Sequence, residues 1–159
     1  MIDAQSSMVE ITHLEKRFGS EIAVEDFNLS VGKGEFVTLL GPSGCGKTTT
    51  LRSIAGLEKL DAGEIRIGQN IVVSADKNIF LDPEKREIGM VFQSYAVWPH
   101  MTVFDNVAYG LRVRGTKSSD LKKKTSYALE LVGLDHLADR FATKLSGGQR
   151  QRVALARAI

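Results

Sequence analysis

Nine consecutive residues, Gly41-Pro42-Ser43-Gly44-Cys45-Gly46-Lys47-Thr48-Thr49, fit the spacing G-x-x-x-x-G-K-[ST] with one threonine to spare. A di- or triphosphate demands many hydrogen-bond donors and positive potential, brought closer than side chains with Cβ atoms allow. Gly41, Gly44 and Gly46 permit that approach, so successive N–H groups point inward, and a helix starting near Lys47 adds its positive dipole end. On this reading Lys47 reaches the β- and γ-phosphates, and the Thr48 hydroxyl ligates Mg²⁺, a hard cation that prefers oxygen. A dinucleotide fold fits less well, because the glycines run G-x-x-G-x-G and not G-x-G-x-x-G.

Such a loop works only if a strand delivers it and a helix leaves it. Glu35–Leu40 (E-F-V-T-L-L) is an apolar run of strand length, and Thr48–Leu57 has helical character. Before it, residues 8–31 alternate apolar and polar with turn signals between, which predicts short antiparallel strands. Phe18 sits in a turn, Lys16-Arg17-Phe18-Gly19, and from the residues alone a lone Phe reads as core more readily than as a ring offered to a ligand. After the helix, residues 63–68 and 70–73 predict a hairpin that extends the N-terminal sheet. Ser74–Arg86, with Pro83, reads as a surface loop. Glu87–Phe92 reads as a further apolar strand, ending at Gln93.

From Gln93 the character changes. An aromatic-rich stretch, Ser94 to His100, leads to Thr102, a good cap for a helix over Val103–Leu111 whose Val103, Val107 and Leu111 lie four apart. A second helix is expected over about 119–132, with Leu121, Ala128, Leu129 and Val132 mostly on one face and Gly133 placed to end it. Leu145-Ser146-Gly147-Gly148-Gln149 then opens a last helix, Arg150–Ile159. A hydroxyl, two glycines and free N–H groups at a helix start repeat the physics of the first loop. From the residues alone the segment is either a second anion site or simply a helix start.

Composition sets outer bounds. The 159 residues are 43% hydrophobic and 25% charged with formal net charge +2, which suits a globular chain of one or two units. Lys122-Lys123-Lys124 lies in a helical stretch and reads as a solvated face, so nucleic-acid binding gains no support. No basic-then-apolar leader and no run of about 20 apolar residues is present, and Cys45 is the single cysteine. These features predict a cytosolic setting, and alkylation of Cys45 is expected to block the loop.

Gly41–Thr49, Gln93 and Leu145–Gln149, in this order and at about this spacing, together with Arg150-Gln151-Arg152-Val153-Ala154-Leu155-Ala156-Arg157-Ala158, resemble the ATP-binding subunits of ABC transporters. The resemblance implies an α/β, P-loop NTPase, ABC-type nucleotide-binding domain: a RecA-like core with an N-terminal antiparallel β-subdomain and a helical subdomain. It implies a division into residues 8–92, 93–145 and 146–159. It implies ATP and Mg²⁺ as ligands. Phe18 stands where the family stacks an aromatic ring on adenine, Gly41–Thr49 is the Walker A loop, and Gln93 is the glutamine that reaches Mg²⁺ and the attacking water. Ser146, Gly147, Gly148 and Gln149 contact the nucleotide held by a second, head-to-tail ATP-binding subunit.

Residues 93–103 look like the loop of bacterial importers that receives the membrane permease subunits, which makes Tyr95, Ala96, Val97 and Trp98 the implied partner interface and a solute-binding protein an indirect partner. The rival placement for Trp98 is inside the helical insertion. The implied location is cytoplasmic, peripheral on the inner face of the membrane. Residues 73–86 and the loop after Gln93 most resemble ferric-iron importers; a hydrolysis-deficient nucleotide binder and a non-transport ABC ATPase are the alternatives. The family's Walker B aspartate, catalytic glutamate and switch histidine follow the signature helix and have no counterpart before Ile159. No catalytic residue is therefore assigned, Lys47 and Gln93 only assist, and the 159 residues alone are expected to hydrolyse little or no ATP, with Glu35–Leu40 left with an open edge.

Overall fold

The computed structural model describes residues 7–159. They divide between Glu87 and Ile88 into two units, each with its own core.

In the first unit the alternating N-terminal residues form a long hairpin, β1 (Ser7–Phe18) and β2 (Glu21–Gly32). β3 (Ala62–Ile67), β4 (Asn70–Ser74) and the two-residue β5 (Ile79–Phe80) complete an antiparallel sheet of order β2-β1-β3-β4-β5. The alternation in β1 slips between Ile11 and Leu14, yet both are buried, at 2% and 0% exposed. A bulge explains this: the register shifts at this point, His13 adopts φ +50°, and the extra residue returns Leu14 to the core face. The Asn28 side chain accepts from the His13 N–H at 2.8 Å and secures the bulge. Ile11, Leu14, Val24, Leu60, Ile65, Val72 and Val73 form the core, against which Ile54, near the end of helix α1 (Lys47–Ala55), packs. The stretch read as a surface loop, 74–86, carries β5 and a single 3-10 turn, Pro83–Lys85.

The second unit packs α2 (Val103–Val113), α3 (Ser118–Leu131) and α4 (Gly147–Ala158) around Val103, Val107, Leu129, Leu134 and Val153. Thr102 caps α2 as expected, its hydroxyl accepting the Asp105 N–H at 3.0 Å. Gly133, at φ +64°, follows α3. α4 starts three residues earlier than the sequence predicts, because Ser146 and Gln149 close a reciprocal capping box. That places Gly147 and Gly148 inside the first turn.

Two expectations fail. Neither Glu35–Leu40 nor Glu87–Phe92 is a strand. An apolar run becomes a strand only when a neighbouring backbone supplies a ladder of hydrogen bonds, and neither run finds one among the described residues. Phe36 and Leu40 are 93% and 94% exposed as a result.

Candidate nucleotide-binding site

The glycine loop joins α1 through two left-handed residues, Gly44 at φ +85° and Gly46 at φ +86°. Gly46 is required twice over. A side chain would strain that backbone, and its Cβ would collide with the Ala23 carbonyl oxygen and lie 2.8 Å from Val24 Cγ2. The loop is thus seated on β2 where the hairpin turns. Val24 pairs with Lys16, whose ammonium lies 5.2 Å from the Phe18 ring, so Phe18 and the loop share one end of the sheet. Phe18 is half exposed.

No side chain caps α1 among the described residues, so its first N–H groups face outward unclaimed. Lys47 folds back over the loop: Nζ donates to the carbonyl oxygens of Gly41 at 2.8 Å and Pro42 at 2.6 Å, and lies 3.4 Å from Cys45 Sγ. Thr48 is exposed beside it and Thr49 half-buried. Ser43 and Cys45 complete an exposed rim. Uncapped amides, a mobile-stemmed ammonium and a hydroxyl at a helix start form a donor set for phosphate oxygens, with hard oxygen for a divalent cation.

The far end of α1 is fixed by a residue that sequence reasoning missed. Arg86, only 3% exposed, donates from Nη1 to the carbonyl oxygens of Ser53 at 2.8 Å and Ile54 at 2.9 Å, and from Nε to Leu81 at 2.7 Å. Its cation meets the negative end of the helix dipole, and burial pushes its pKa down from the ordinary guanidinium value. Gly56 makes room, since a Cβ there would sit 2.6 Å from Arg86 Nε. A lone arginine in a polar stretch reads as solvated; only the helix end, over 30 residues away in sequence, reveals its partner.

The remaining candidates fall in the second unit. Gln93 is exposed in a turn closed by the Tyr95 N–H donating to Phe92 O at 2.9 Å. Trp98 is half-buried, tilted against Tyr109 at 4.4 Å between ring centroids, with the Arg157 guanidinium 4.8 Å from its ring. Asn106, fully buried, brackets that loop: its side chain accepts the Trp98 N–H at 2.8 Å and donates to Trp98 O at 3.1 Å and Thr102 O at 2.9 Å. Tyr95 and Val97 are half-buried and Ala96 is exposed. Ser146 Oγ accepts from the Gln149 N–H at 3.3 Å, and Gln149 Oε1 accepts from the Ser146 N–H at 2.9 Å. No helix among the described residues is long and apolar enough to cross a membrane.

The ABC transporter family profile matches residues 24–159. Among curated proteins, the spermidine/putrescine import ATP-binding protein of Aggregatibacter actinomycetemcomitans is 48% identical over 96% of this chain and 39% of its own length. An Fe(3+) ions import ATP-binding protein of Pectobacterium atrosepticum is 46% identical over 99% of this chain and 43% of its own. The chain therefore spans about two fifths of the length of these relatives. A solved dimeric ATP-binding cassette, in a post-hydrolysis state bound to ADP and Pi, superposes with a TM-score of 0.79 at 33% identity, covering 96% of this chain and 69% of that one. The fold is that of an ABC ATPase cassette, a P-loop NTPase of α/β class. The chain belongs to the ABC transporter family.

Proposed function

We propose that this chain supplies the ATP-holding portion of an ATP-binding subunit that energises a solute importer. The observation that carries the reading is the loop itself: left-handed Gly44 and Gly46, uncapped α1 amides and Lys47 lodged on the loop carbonyls. An incoming triphosphate offers Lys47 anionic oxygens in place of neutral carbonyls, a stronger partner for an ammonium. Thr48 and, by the family resemblance alone, Gln93 would hold Mg²⁺, which would supply positive charge to the phosphates. Phe18 stacks on adenine, while Gly41, Pro42, Ser43, Cys45 and Thr49 complete the cradle. Ser146, Gly147, Gly148 and Gln149 meet the nucleotide of a second subunit, in keeping with the dimeric ADP-bound relative. Tyr95–Trp98 receives the permease, and the subunit lies on the cytoplasmic face of the membrane.

Residues 8–92, 93–145 and 146–159 serve as sheet and loop unit, helical insertion and signature helix. Ferric iron is the solute we favour, from the likeness of residues 73–86 and the loop after Gln93 to ferric-iron importers. Overall identity does not select among solutes, since relatives named for polyamine and for Fe(3+) import stand at 48% and 46%.

Cys45 offers a direct test. As the single cysteine it takes a maleimide label alone. Mg-ATP at about a hundred times its Kd should slow labelling by tenfold or more, roughly as occupancy dictates. Equal labelling rates with and without Mg-ATP would refute the site.

A further inference from the structure

The loop after Gln93 contains two successive non-glycine residues in the left-handed region, Tyr95 at φ +63° and Ala96 at φ +46°. Each costs about a kilocalorie or more, and a pair persists only where surroundings over-determine it. One side chain accounts for both. Arg157, near the end of α4, donates from Nη1 to Ala96 O at 2.6 Å and from Nη2 to Tyr95 O at 3.1 Å, 61 and 62 residues back in sequence. Its guanidinium plane also covers Trp98, whose other neighbour is Tyr109 on α2. Gly89 brings the preceding segment equally close, for a Cβ there would collide with the Ala158 carbonyl oxygen.

We propose that Arg157 is a positioning residue that holds residues 95–98 in their left-handed turn and locks them to α4. A guanidinium suits the task because its planar fork spans two adjacent carbonyls while its face lies on an indole; lysine's ammonium supplies one point of charge. Burial pushes the Arg157 pKa below the ordinary guanidinium value, which still leaves the group charged at neutral pH. Arg157 lies eleven residues beyond Ser146, so a rigid α4 carries any displacement of the loop to the signature end roughly 16 Å away. That consequence rests on the function proposed above; the lock itself does not. On this view Trp98 serves the lock as well as the partner surface proposed above for Tyr95–Trp98.

Trp98 is the single tryptophan and so an internal reporter. The full chain, without nucleotide or partner, is compared with Arg157→Ala and Arg157→Lys. Arg157→Ala should raise acrylamide quenching of Trp98 about twofold or more, red-shift its emission, and speed amide exchange of residues 94–98 about tenfold, leaving exchange in α2 unchanged. Arg157→Lys should restore Trp98 shielding in part while exchange at 95–98 stays fast. If Arg157→Ala does not fold, the lysine variant decides: exchange at 95–98 indistinguishable from the parent overturns the proposal. So does faster exchange spread uniformly over α2, α3 and α4. Because ATP is absent throughout, failure of the lock and failure of the nucleotide site are separate results.

Discussion

Gly46 and Arg86 hold opposite ends of α1 and show how unevenly single residues announce themselves. Gly46 is legible in the sequence, because the spacing to Lys47 and Thr48 demands a glycine and the structure supplies two reasons for it. Gly46→Ala should cost about 1–3 kcal/mol from the left-handed backbone alone, and more from the collision with β2, read as a lower urea midpoint together with lost ATP binding. Arg86 is silent in sequence, since its three carbonyl partners come from Ser53, Ile54 and Leu81. Removing it takes the side-chain donor from the Ile54 and Leu81 carbonyls and leaves Ser53 O with the Gly56 N–H alone. Arg86→Ala should therefore destabilise by roughly 2–4 kcal/mol, and a variant as stable as the parent would show that the helix end finds other partners.

Elements were legible where their own residues suffice and illegible where a neighbour is needed. The β1–β2 hairpin, the Thr102 cap and the end of α3 at Gly133 follow from local pattern, and all are present. Glu35–Leu40 and Glu87–Phe92 have strand composition but no ladder among the described residues, so composition alone misleads. The α2 cap carries a pH signature. The Thr102 hydroxyl first, and Arg112 second, hold the Asp105 carboxyl below the usual carboxylate range. A depressed folded-state pKa contributes stability in full above the unfolded value, near 4, and loses it as pH falls through the folded value. Asp105→Asn should accordingly flatten the acid limb of a stability-versus-pH curve below about pH 4 and lower the neutral plateau. In the same helix Asn106→Ala should cost roughly 2–4 kcal/mol, because the Trp98 N–H loses its partner and the Trp98 carbonyl keeps only the Met101 N–H.

At the scale of the molecule, two motif groups lie in two separately cored units: Phe18 and Gly41–Thr49 in one, Gln93, Tyr95–Trp98 and Ser146–Gln149 in the other. Their order along the chain was readable; the residues that stiffen each group, Arg86, Asn106 and Arg157, were not, because each acts through contacts distant in sequence. Family membership follows from the match over residues 24–159, the loop geometry supports a nucleotide site, and the role in solute import is a proposal drawn from likeness to importer ATP-binding proteins. Everything in that reading depends on a polyphosphate entering where Lys47 now holds two carbonyls. The most direct test is calorimetric titration of the chain with Mg-ATP beside Lys47→Ala. The account predicts saturable one-site binding by the parent and affinity weakened about 10- to 100-fold in the variant, the worth of one or two charge-assisted hydrogen bonds. Equal affinity in the two proteins, with both folded, would contradict it.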